Sequence, residues 1–384
     1  MIFYGKQDVN ETDIRAVEEV LRSDFLTQGP AIERFERCVA DYCGAKYAVA
    51  VTNATSALHI ACLAAGLGKG DVLWTSPITF VASANCARYC GADVDFVDID
   101  DKTYNMSVTA LEEKLRQAEA AGRLPKVVVP VHLAGQSCDM KRIHELATAY
   151  GFMVLEDASH AVGAEYLGGK VGSCAFSDMA VFSFHPVKII TTGEGGMVLT
   201  NSKELYEKLT LYRSHGITRA PAFMTHESDG PWYYQQIELG FNYRMTDIQA
   251  ALGCSQMQRL DEFVARRRYL AARYDKLLER LPLVTPHVMS DSVPSWHIYI
   301  VRVDFSCVKR TKQEIFEKMR ERGVTLNLHY IPVHTQPYYE QLGHRSEECP
   351  EAMKYYEEAM TLPLYYDLTD EEQNMIVDKL REVL

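Results

Sequence analysis

The stretches Phe152-Met-Val-Leu-Glu-Asp-Ala-Ser-His160 and Met179-Ala-Val-Phe-Ser-Phe-His-Pro-Val-Lys188 decide the fold of this chain. Each begins as a short apolar run and ends in polar side chains, among them an aspartate, a serine and a lysine. Nearly continuous apolar runs of this length are typical of strands that are covered on both faces of a sheet. Because ligands of open α/β sheets bind at the carboxyl ends of strands, we expect Asp157, Ser183 and Lys188 to face one cleft.

The same alternation extends in both directions from these two segments. Between about residues 33 and 200, short β-rich runs alternate with helix-like segments, which predicts a mainly parallel sheet with right-handed crossovers. The predicted strands are Tyr47–Thr52, Val72–Thr75, Val94–Val97, Val127–Val131, Met153–Leu155, Met179–Phe182 and Met197–Thr200. The predicted helices between them are Thr55–Ala65, Phe80–Tyr89, Ala110–Ala121 and Lys141–Tyr150.

The pattern changes after Thr200, where longer helical segments begin. We predict two domains, a large one of residues 1–255 and a smaller C-terminal α+β domain of residues 256–384. The boundary falls in or beside a long connecting helix. The predicted elements of this region are helices at Lys203–Arg213, Thr246–Leu278, Lys312–Arg322, Glu351–Met360 and Thr369–Leu384, and strands at Trp296–Val303 and Thr325–His329.

Composition excludes several classes of protein. The chain has 384 residues with 40 Lys plus Arg against 52 Asp plus Glu, a net charge of −12, which argues against a binder of nucleic acids or anionic membranes. No apolar run approaches the ~20 residues of a membrane span, and the first residues turn polar too early for a signal peptide. The ten cysteines form no C-x-x-C pair. We therefore expect a cytoplasmic protein with reduced thiols and no structural metal.

Two motifs have an ordinary structural interpretation beside a functional one. Gly66-Leu-Gly68-Lys-Gly70 looks like a nucleotide fingerprint, but it precedes a strand and does not join a strand to a helix, so we interpret it as a turn. The acidic run from Asp93 to Asp101 is consistent with the metal-nucleotide site of a metal-dependent glycosyltransferase. It is more typical of a strand that ends in a solvated acidic loop, which is the interpretation we favour.

A carboxylate and a nucleophilic lysine, in a chain without metal or nicotinamide motifs, suit pyridoxal 5'-phosphate (PLP) chemistry. The lysine forms a Schiff base with the cofactor aldehyde, and an aspartate that faces the pyridine nitrogen keeps it protonated. The segment Asn53-Ala-Thr-Ser-Ala57 follows a strand and starts a helix, whose N-terminus favours a phosphate. Simple N-capping of that helix by a threonine or serine is the alternative. The Gly-rich run Thr191–Gly196 after the lysine allows close backbone approach.

Taken in order, the motifs resemble the DegT/DnrJ/EryC group of sugar-nucleotide aminotransferases. The resemblance runs nearly end to end, and it implies an α/β fold type I PLP-dependent transferase with a mixed, mostly parallel seven-stranded sheet and a smaller C-terminal α+β domain. The blocks that carry it are Leu26-Thr-Gln-Gly-Pro30, Asn53-Ala-Thr-Ser-Ala57, Ser76-Pro-Ile-Thr-Phe80, Glu156-Asp-Ala-Ser-His160, Ser183-Phe-His-Pro-Val-Lys188, Gly193-Glu-Gly-Gly196 and Gly240-Phe-Asn-Tyr-Arg-Met-Thr246.

The resemblance implies roles for individual residues. Lys188 would bind the cofactor covalently and act as the catalytic proton shuttle, and Asp157 would pair with the pyridine nitrogen. His160 would lie near the phenolic oxygen of the cofactor. Phe80 would stack on the ring face, and ordinary core packing is the alternative for this residue.

The same resemblance assigns the phosphate of the cofactor to Ala54, Thr55 and Ser183. Asn242 would reach the cofactor phosphate of the neighbouring subunit, so the resemblance also implies a homodimer.

Finer details resemble the branch of the family that makes pseudaminic acid precursors. They are His132-Leu-Ala-Gly-Gln-Ser137, Arg213-Ser-His-Gly216 and His329-Tyr-Ile-Pro332. The implied substrates are a UDP-linked 4-keto-6-deoxy-N-acetyl-L-hexosamine and glutamate as the amino donor. A small residue at Ala134 would leave room for that sugar configuration. The candidate substrate-binding residues are Gln28 and Tyr330 for the sugar, and Arg213, His215, Arg244 and His329 for the diphosphate.

Three alternatives stay open at this point. The first is a UDP-sugar 4-aminotransferase of the D-gluco series, which would deliver the amine to the opposite face. The others are a non-catalytic PLP-binding regulator and the metal-dependent glycosyltransferase mentioned above.

Overall fold

A seven-stranded sheet forms the centre of the protein, whose computed structural model describes residues 1–384. Its strands are β1 (Tyr47–Val51), β2 (Val72–Thr75), β3 (Asp93–Phe96), β4 (Val127–Val129), β5 (Met153–Asp157), β6 (Met179–Ser183) and β7 (Gly196–Thr200). They lie in the order β1-β7-β6-β5-β4-β2-β3. Only β7 runs antiparallel to its neighbours, which confirms the mixed, mostly parallel seven-stranded sheet.

The register of this sheet places two functional segments side by side. In the parallel pair β5 and β6, Asp157 lies opposite Val181, so the last residues of both strands reach the same edge of the sheet. Strand β4 is shorter than predicted because Pro130 follows it, and proline has no N–H to continue the ladder.

Thirteen α-helices surround the sheet and build the C-terminal region. Those of the first half are α1 (Glu11–Leu21), α2 (Pro30–Cys43), α3 (Ala54–Ala64), α4 (Ala82–Tyr89), α5 (Val108–Ala120) and α6 (Met140–Tyr150). The four helices predicted here, α3 to α6, agree within two residues at each end. Helix α3 is apolar and buried nearly all round, because it packs between the sheet and α4. The segment Gly66–Gly70 is a turn between α3 and β2, as predicted.

The predicted helix Thr246–Leu278 is wrong as a single element. The structure has α7 (Lys203–Arg213), α8 (Asp247–Met257) and α9 (Leu260–Leu278), with a break at Gln258 and Arg259. The guanidinium of Arg259 binds the carboxylates of Asp8 and Asp13. This tertiary contact redirects the chain at a point where the local sequence continues a helical pattern.

The C-terminal region contains a three-stranded antiparallel sheet, β8 (Leu283–Val284), β9 (Tyr299–Val303) and β10 (Ala359–Leu362). Its helices are α10 (Lys312–Glu321), α11 (Pro337–Gln341), α12 (Pro350–Glu358) and α13 (Asp370–Val383). The predicted strand Thr325–His329 is wrong, since Asn327 makes only an isolated bridge to Thr361. The predicted helix Glu351–Met360 ends early, because Ala359 and Met360 pair with β9.

This region has its own apolar core of 22 buried residues. Other side chains, such as Ile298 and Tyr355, pack instead into the core of the large sheet. A domain boundary at residue 255 would fall inside α8. The division into 1–255 and 256–384 therefore stays a prediction.

Two small ribbons complete the secondary structure. Glu165–Tyr166 pairs with Gly169–Lys170 and with Ser292–Val293, and Ile217–Thr218 pairs with Gln235–Gln236. No helix has the combination of length and hydropathy that a bilayer-spanning segment requires.

Candidate active site

A cavity of about 460 Å³ opens at the carboxyl ends of the central strands. Strands β5 and β6 end here, and a C-terminal segment around residue 329 forms the opposite wall. The structure thus brings most of the predicted site residues together. Those in the wall are Ala54, Thr55, Phe80, Asp157, His160, Ser183, Lys188, His329 and Tyr330.

Lys188 lies in the turn that follows β6, where its N–H donates to the carbonyl of His185 at 2.9 Å. Desolvation in the cavity lowers the pKa of Lys188 to about 8, although the nearby carboxylate of Asp157 opposes this shift. A lysine with a lowered pKa has more of its amine unprotonated near neutral pH, and only that form is nucleophilic. The site therefore favours covalent attack by this amine.

Asp157 is the last residue of β5, and it is 4% exposed. The backbone N–H of Ser159 donates to its Oδ1 at 3.1 Å, and the hydroxyl of Ser83 donates to its Oδ2 at 2.6 Å. An ionised carboxylate offers about four acceptor positions, so capacity is left for a donor in the cavity. The protonated pyridine nitrogen of PLP is such a donor.

Three buried histidines line the cavity: His160, which follows β5, and His297 and His329 from the C-terminal region. Burial lowers the pKa of each, and the positive charge of Lys188 adds to the effect; the pKa of His329 falls to about 3. All three rings are therefore neutral at physiological pH. Nε2 of His160 forms a hydrogen bond of 3.0 Å with the hydroxyl of Tyr330, and its Nδ1 is buried without a partner.

The start of α3 forms a cradle for an anion. Asn53, and not a threonine or serine, is the N-cap: its side chain accepts the N–H of Ser56 at 2.8 Å. The first N–H groups of a helix have no partner within it, and the residues that carry them here, Ala54 and Thr55, line the cavity, which suits a phosphate.

Gly196 allows this cradle to form. A Cβ at position 196 would lie 2.4 Å from the backbone carbon of Asn53, so only glycine lets β7 approach the start of α3 so closely. The cradle, the lysine and the carboxylate fit the phosphate, the aldehyde and the ring nitrogen of PLP.

The remaining predicted residues do not line this cavity. Asn242 and Gln28 are exposed, and the guanidinium of Arg213 binds the carboxylate of Glu36 and the carbonyl of Ala50. Their contacts with ligands, and those of His215 and Arg244, stay predictions. Ala134 also lies outside the wall, although its carbonyl accepts the N–H of His297 at 3.0 Å.

Several residues of the wall are absent from the prediction. His297, Asn327 and Tyr4 come from segments far from the central strands in sequence, and Thr79 lies just before Phe80. The one usable signal is at His297, a polar residue within the otherwise apolar run Trp296–Val301.

The acidic run that begins in β3 makes structural contacts. Asp93 pairs with Arg88 and Arg123, and Asp95 pairs with Lys114. Asp98 accepts the first N–H groups of α12 at 2.9 and 3.0 Å. These carboxylates form ion pairs and a helix cap, which fits the structural interpretation of this run.

The sequence profile of the DegT/DnrJ/EryC1/StrS aminotransferase family matches residues 7–381. The spore coat polysaccharide biosynthesis protein SpsC of Bacillus subtilis (strain 168) is 39% identical over 384 residues, which cover 99% of this chain and 96% of SpsC. A UDP-4-amino-4,6-dideoxy-N-acetyl-beta-L-altrosamine transaminase of Campylobacter jejuni (strain 81-176) is 35% identical over 388 residues, with 100% of this chain and 98% of the relative covered.

Solved structures show the same likeness. The structure of Helicobacter pylori PseC, an aminotransferase involved in the biosynthesis of pseudoaminic acid, matches with a TM-score of 0.89 at 31% identity. The match covers 100% of this chain and 98% of that one.

Proposed function

Because the chain belongs to the DegT/DnrJ/EryC1/StrS aminotransferase family, whose members are PLP-dependent sugar aminotransferases, we propose a specific reaction for it. The protein transfers an amino group from glutamate to C4 of UDP-2-acetamido-2,6-dideoxy-β-L-arabino-hexos-4-ulose, a step of pseudaminic acid biosynthesis. The observation that carries this proposal is the full-length likeness to the altrosamine transaminase and to PseC. The polar cavity at Lys188 supports it.

Each cofactor contact in this proposal has a residue in the wall of the cavity. Bound PLP supplies an aldehyde that accepts the amino group and a ring that delocalises the electrons of the reacting carbon. Lys188 would hold the cofactor covalently until the amine of the substrate displaces it, and its freed Nζ would then carry the proton to and from the substrate carbon. Asp157 holds a proton on the ring nitrogen, and Phe80, which is 59% exposed, offers its face to the ring. General acid–base catalysis by a placed amine contributes about 10²–10⁴-fold.

The far wall suits an uncharged sugar ring. His329, which the sequence predicts as a diphosphate ligand, is neutral, so we assign it instead to the sugar, where it and Tyr330 offer hydrogen-bond donors and acceptors without a competing charge. His160 is also neutral and keeps its predicted place near the phenolic oxygen of the cofactor. The substrate diphosphate needs further positively charged or hydrogen-bonding side chains, because Lys188 is the only lysine or arginine in the wall. We propose that a second subunit supplies the missing contacts.

That second subunit is another copy of this chain. Asn242 is exposed and lies outside the cavity of its own chain, which fits a residue that completes the neighbouring site. The N-terminal segment also exposes large apolar side chains, as expected of a surface covered by a partner. They are Ile14, Leu21, Phe25 and Leu26, each about half exposed.

We also propose the cytoplasm as the compartment of this enzyme. All ten cysteines are unpaired, which suits a reducing environment.

Product stereochemistry tests the proposed substrate. The holoenzyme is incubated with glutamate and, in separate reactions, with the L-arabino and the D-gluco 4-keto UDP-sugar, and NMR identifies the aminated product. We expect turnover of the L-arabino sugar. Turnover of the D-gluco sugar alone would establish the 4-aminotransferase of that series instead.

The donor half-reaction separates the enzyme from a regulator. Glutamate alone converts the cofactor of an aminotransferase to its aminated form, with a change in absorption. If neither glutamate nor an amino sugar changes the absorption of the bound cofactor, the protein is a PLP-binding regulator.

A further inference from the structure

Three buried polar side chains form a hydrogen-bonded line along the wall of the cavity, and the residues at its two ends, Thr79 and Asp157, both belong to that wall. The hydroxyl of Thr79 is 2.7 Å from that of Ser83, and the hydroxyl of Ser83 is 2.6 Å from Oδ2 of Asp157. None of the three residues is more than 4% exposed. Buried polar groups of this kind are costly unless they are paired, so the line is a fixed feature of the fold.

The direction of each hydrogen bond follows from the chemistry of the carboxylate of Asp157. An ionised carboxylate only accepts, so Ser83 donates its proton to Asp157. The oxygen of Ser83 is then the acceptor for the hydroxyl of Thr79. With the N–H of Ser159 on Oδ1, both oxygens of the carboxylate are held, and the plane of the carboxylate is set.

The line also connects Asp157 with the segment that carries Phe80, and these are the two side chains that would hold the cofactor ring. Ser83 lies in the first turn of α4, and Thr79 directly precedes Phe80 in the segment that leads into this helix. Phe80 is exposed to the cavity, whereas the hydroxyls beside it are buried. A shift of this segment would therefore move Phe80 and the support of Asp157 together.

We propose that Ser83 and Thr79 are positioning residues, which fix the carboxylate of Asp157 toward the ring nitrogen of PLP and hold Phe80 in register with it. This inference rests on the proposed function, since it assumes that the cavity binds PLP. Ser83 does not line the cavity; Thr79 does, but its hydroxyl is bonded to that of Ser83. Both act through Asp157.

Variants that remove each hydroxyl test this role. Ser83→Ala removes the donor to Asp157, and Thr79→Val removes the donor to Ser83 with little change of shape. Thr79→Ser keeps the hydroxyl and is the conservative variant. Ser292→Ala is the matched control, because the hydroxyl of Ser292 is also buried but has no partner.

Three quantities are measured on each purified protein: the dissociation constant of PLP, the absorption spectrum of the bound cofactor against pH, and the kcat and KM of the glutamate half-reaction. Melting of the apoprotein shows whether each variant folds. For Ser83→Ala we expect PLP binding to weaken about tenfold, as for a lost hydrogen bond to a charged group, with a shifted spectrum. We expect kcat to fall and the KM for glutamate to stay unchanged, because the carboxylate of Asp157 supports the cofactor ring and does not bind glutamate. Thr79→Val should show a smaller effect of the same kind, and Thr79→Ser and Ser292→Ala should match the wild type.

Two results would overturn the inference. If Ser83→Ala binds PLP like the wild type, with the same spectrum and kcat, the carboxylate is positioned without the hydroxyls. If it only melts earlier, the hydroxyls are structural. A wild-type protein that binds no PLP would overturn the proposed function as well, so the two failures can be told apart.

Discussion

Burial of the Lys188 amine affects both its charge and its reactivity. An amine that is protonated at neutral pH in water is held in a cavity that disfavours its charge, and this lowers its pKa to about 8. The opposing effect of Asp157 limits the shift. The same desolvation that makes the amine reactive must therefore appear as a cost to the stability of the apoprotein.

The pH dependence of stability measures this cost. The pKa of Lys188 is lower in the folded protein than in the unfolded chain, so the unfolded state binds more protons between about pH 8 and 10.5. Across that window the wild-type apoprotein should gain stability with rising pH relative to Lys188→Met, by at most roughly 3 kcal/mol. Urea unfolding of both proteins at several pH values checks this. A difference that does not change with pH would show that the amine is not desolvated.

At the scale of single elements, the approach of β7 to α3 decides the phosphate site. Gly196 has no Cβ because the backbone of Asn53 and Ala54 occupies that place. The predicted phosphate cradle therefore depends on a glycine that does not itself line the cavity.

Gly196→Ala should push the start of α3 away from β7. We expect a loss of stability of about 1–3 kcal/mol from the steric conflict, together with PLP binding weaker by about tenfold or more. Gly68→Ala is the control, since a Cβ there meets nothing within 4 Å. Denaturant unfolding and PLP titration measure the two effects. Wild-type affinity in Gly196→Ala would mean that the cradle does not hold the phosphate.

Most strands of the central sheet could be predicted because they are buried apolar runs, and β3 could be predicted because apolar and acidic residues alternate along it. Their ends agree with the structure within two residues. The errors lie where contacts between distant residues determine the secondary structure. Arg259 binds Asp8 and Asp13 at the break between α8 and α9. Ala359 pairs with β9 and therefore belongs to a strand and not to the preceding helix. No local pattern carries that information.

The candidate site shows the same division. Asp157 and Lys188 follow predicted strands, so the topology alone places them at one edge of the sheet. His297 and Tyr4 reach the cavity through folding of distant segments, which a single sequence does not reveal. The pairing of Ser83 with Asp157 likewise joins residues 74 positions apart.

At the scale of the whole molecule, the cavity lies between the large sheet and the C-terminal segment. Lys188 comes from the sheet, and His329 and Tyr330 come from the opposite wall. Asn242 is on the outside of the same chain. A complete site would then need two chains.

Mixing of two impaired variants tests the proposed dimer. Lys188→Ala destroys the site in its own chain, and Asn242→Ala weakens the site of its neighbour. In mixed dimers one of the two sites would be intact, so about a quarter of all sites should regain wild-type activity after random exchange. Lys188→Ala mixed with the Lys188→Ala, Asn242→Ala double variant is the control and should stay inactive. No recovery in the first mixture would show that Asn242 acts within its own chain or not at all.

The covalent site of the cofactor tests the central claim most directly. Reduction of the holoenzyme with borohydride fixes the cofactor to the amine that binds it, and peptide mapping by mass spectrometry locates the adduct. The prediction is a single pyridoxyl group on Lys188. An adduct on another lysine, or no adduct in a protein that has bound PLP, would contradict the assignment of this cavity as the active site.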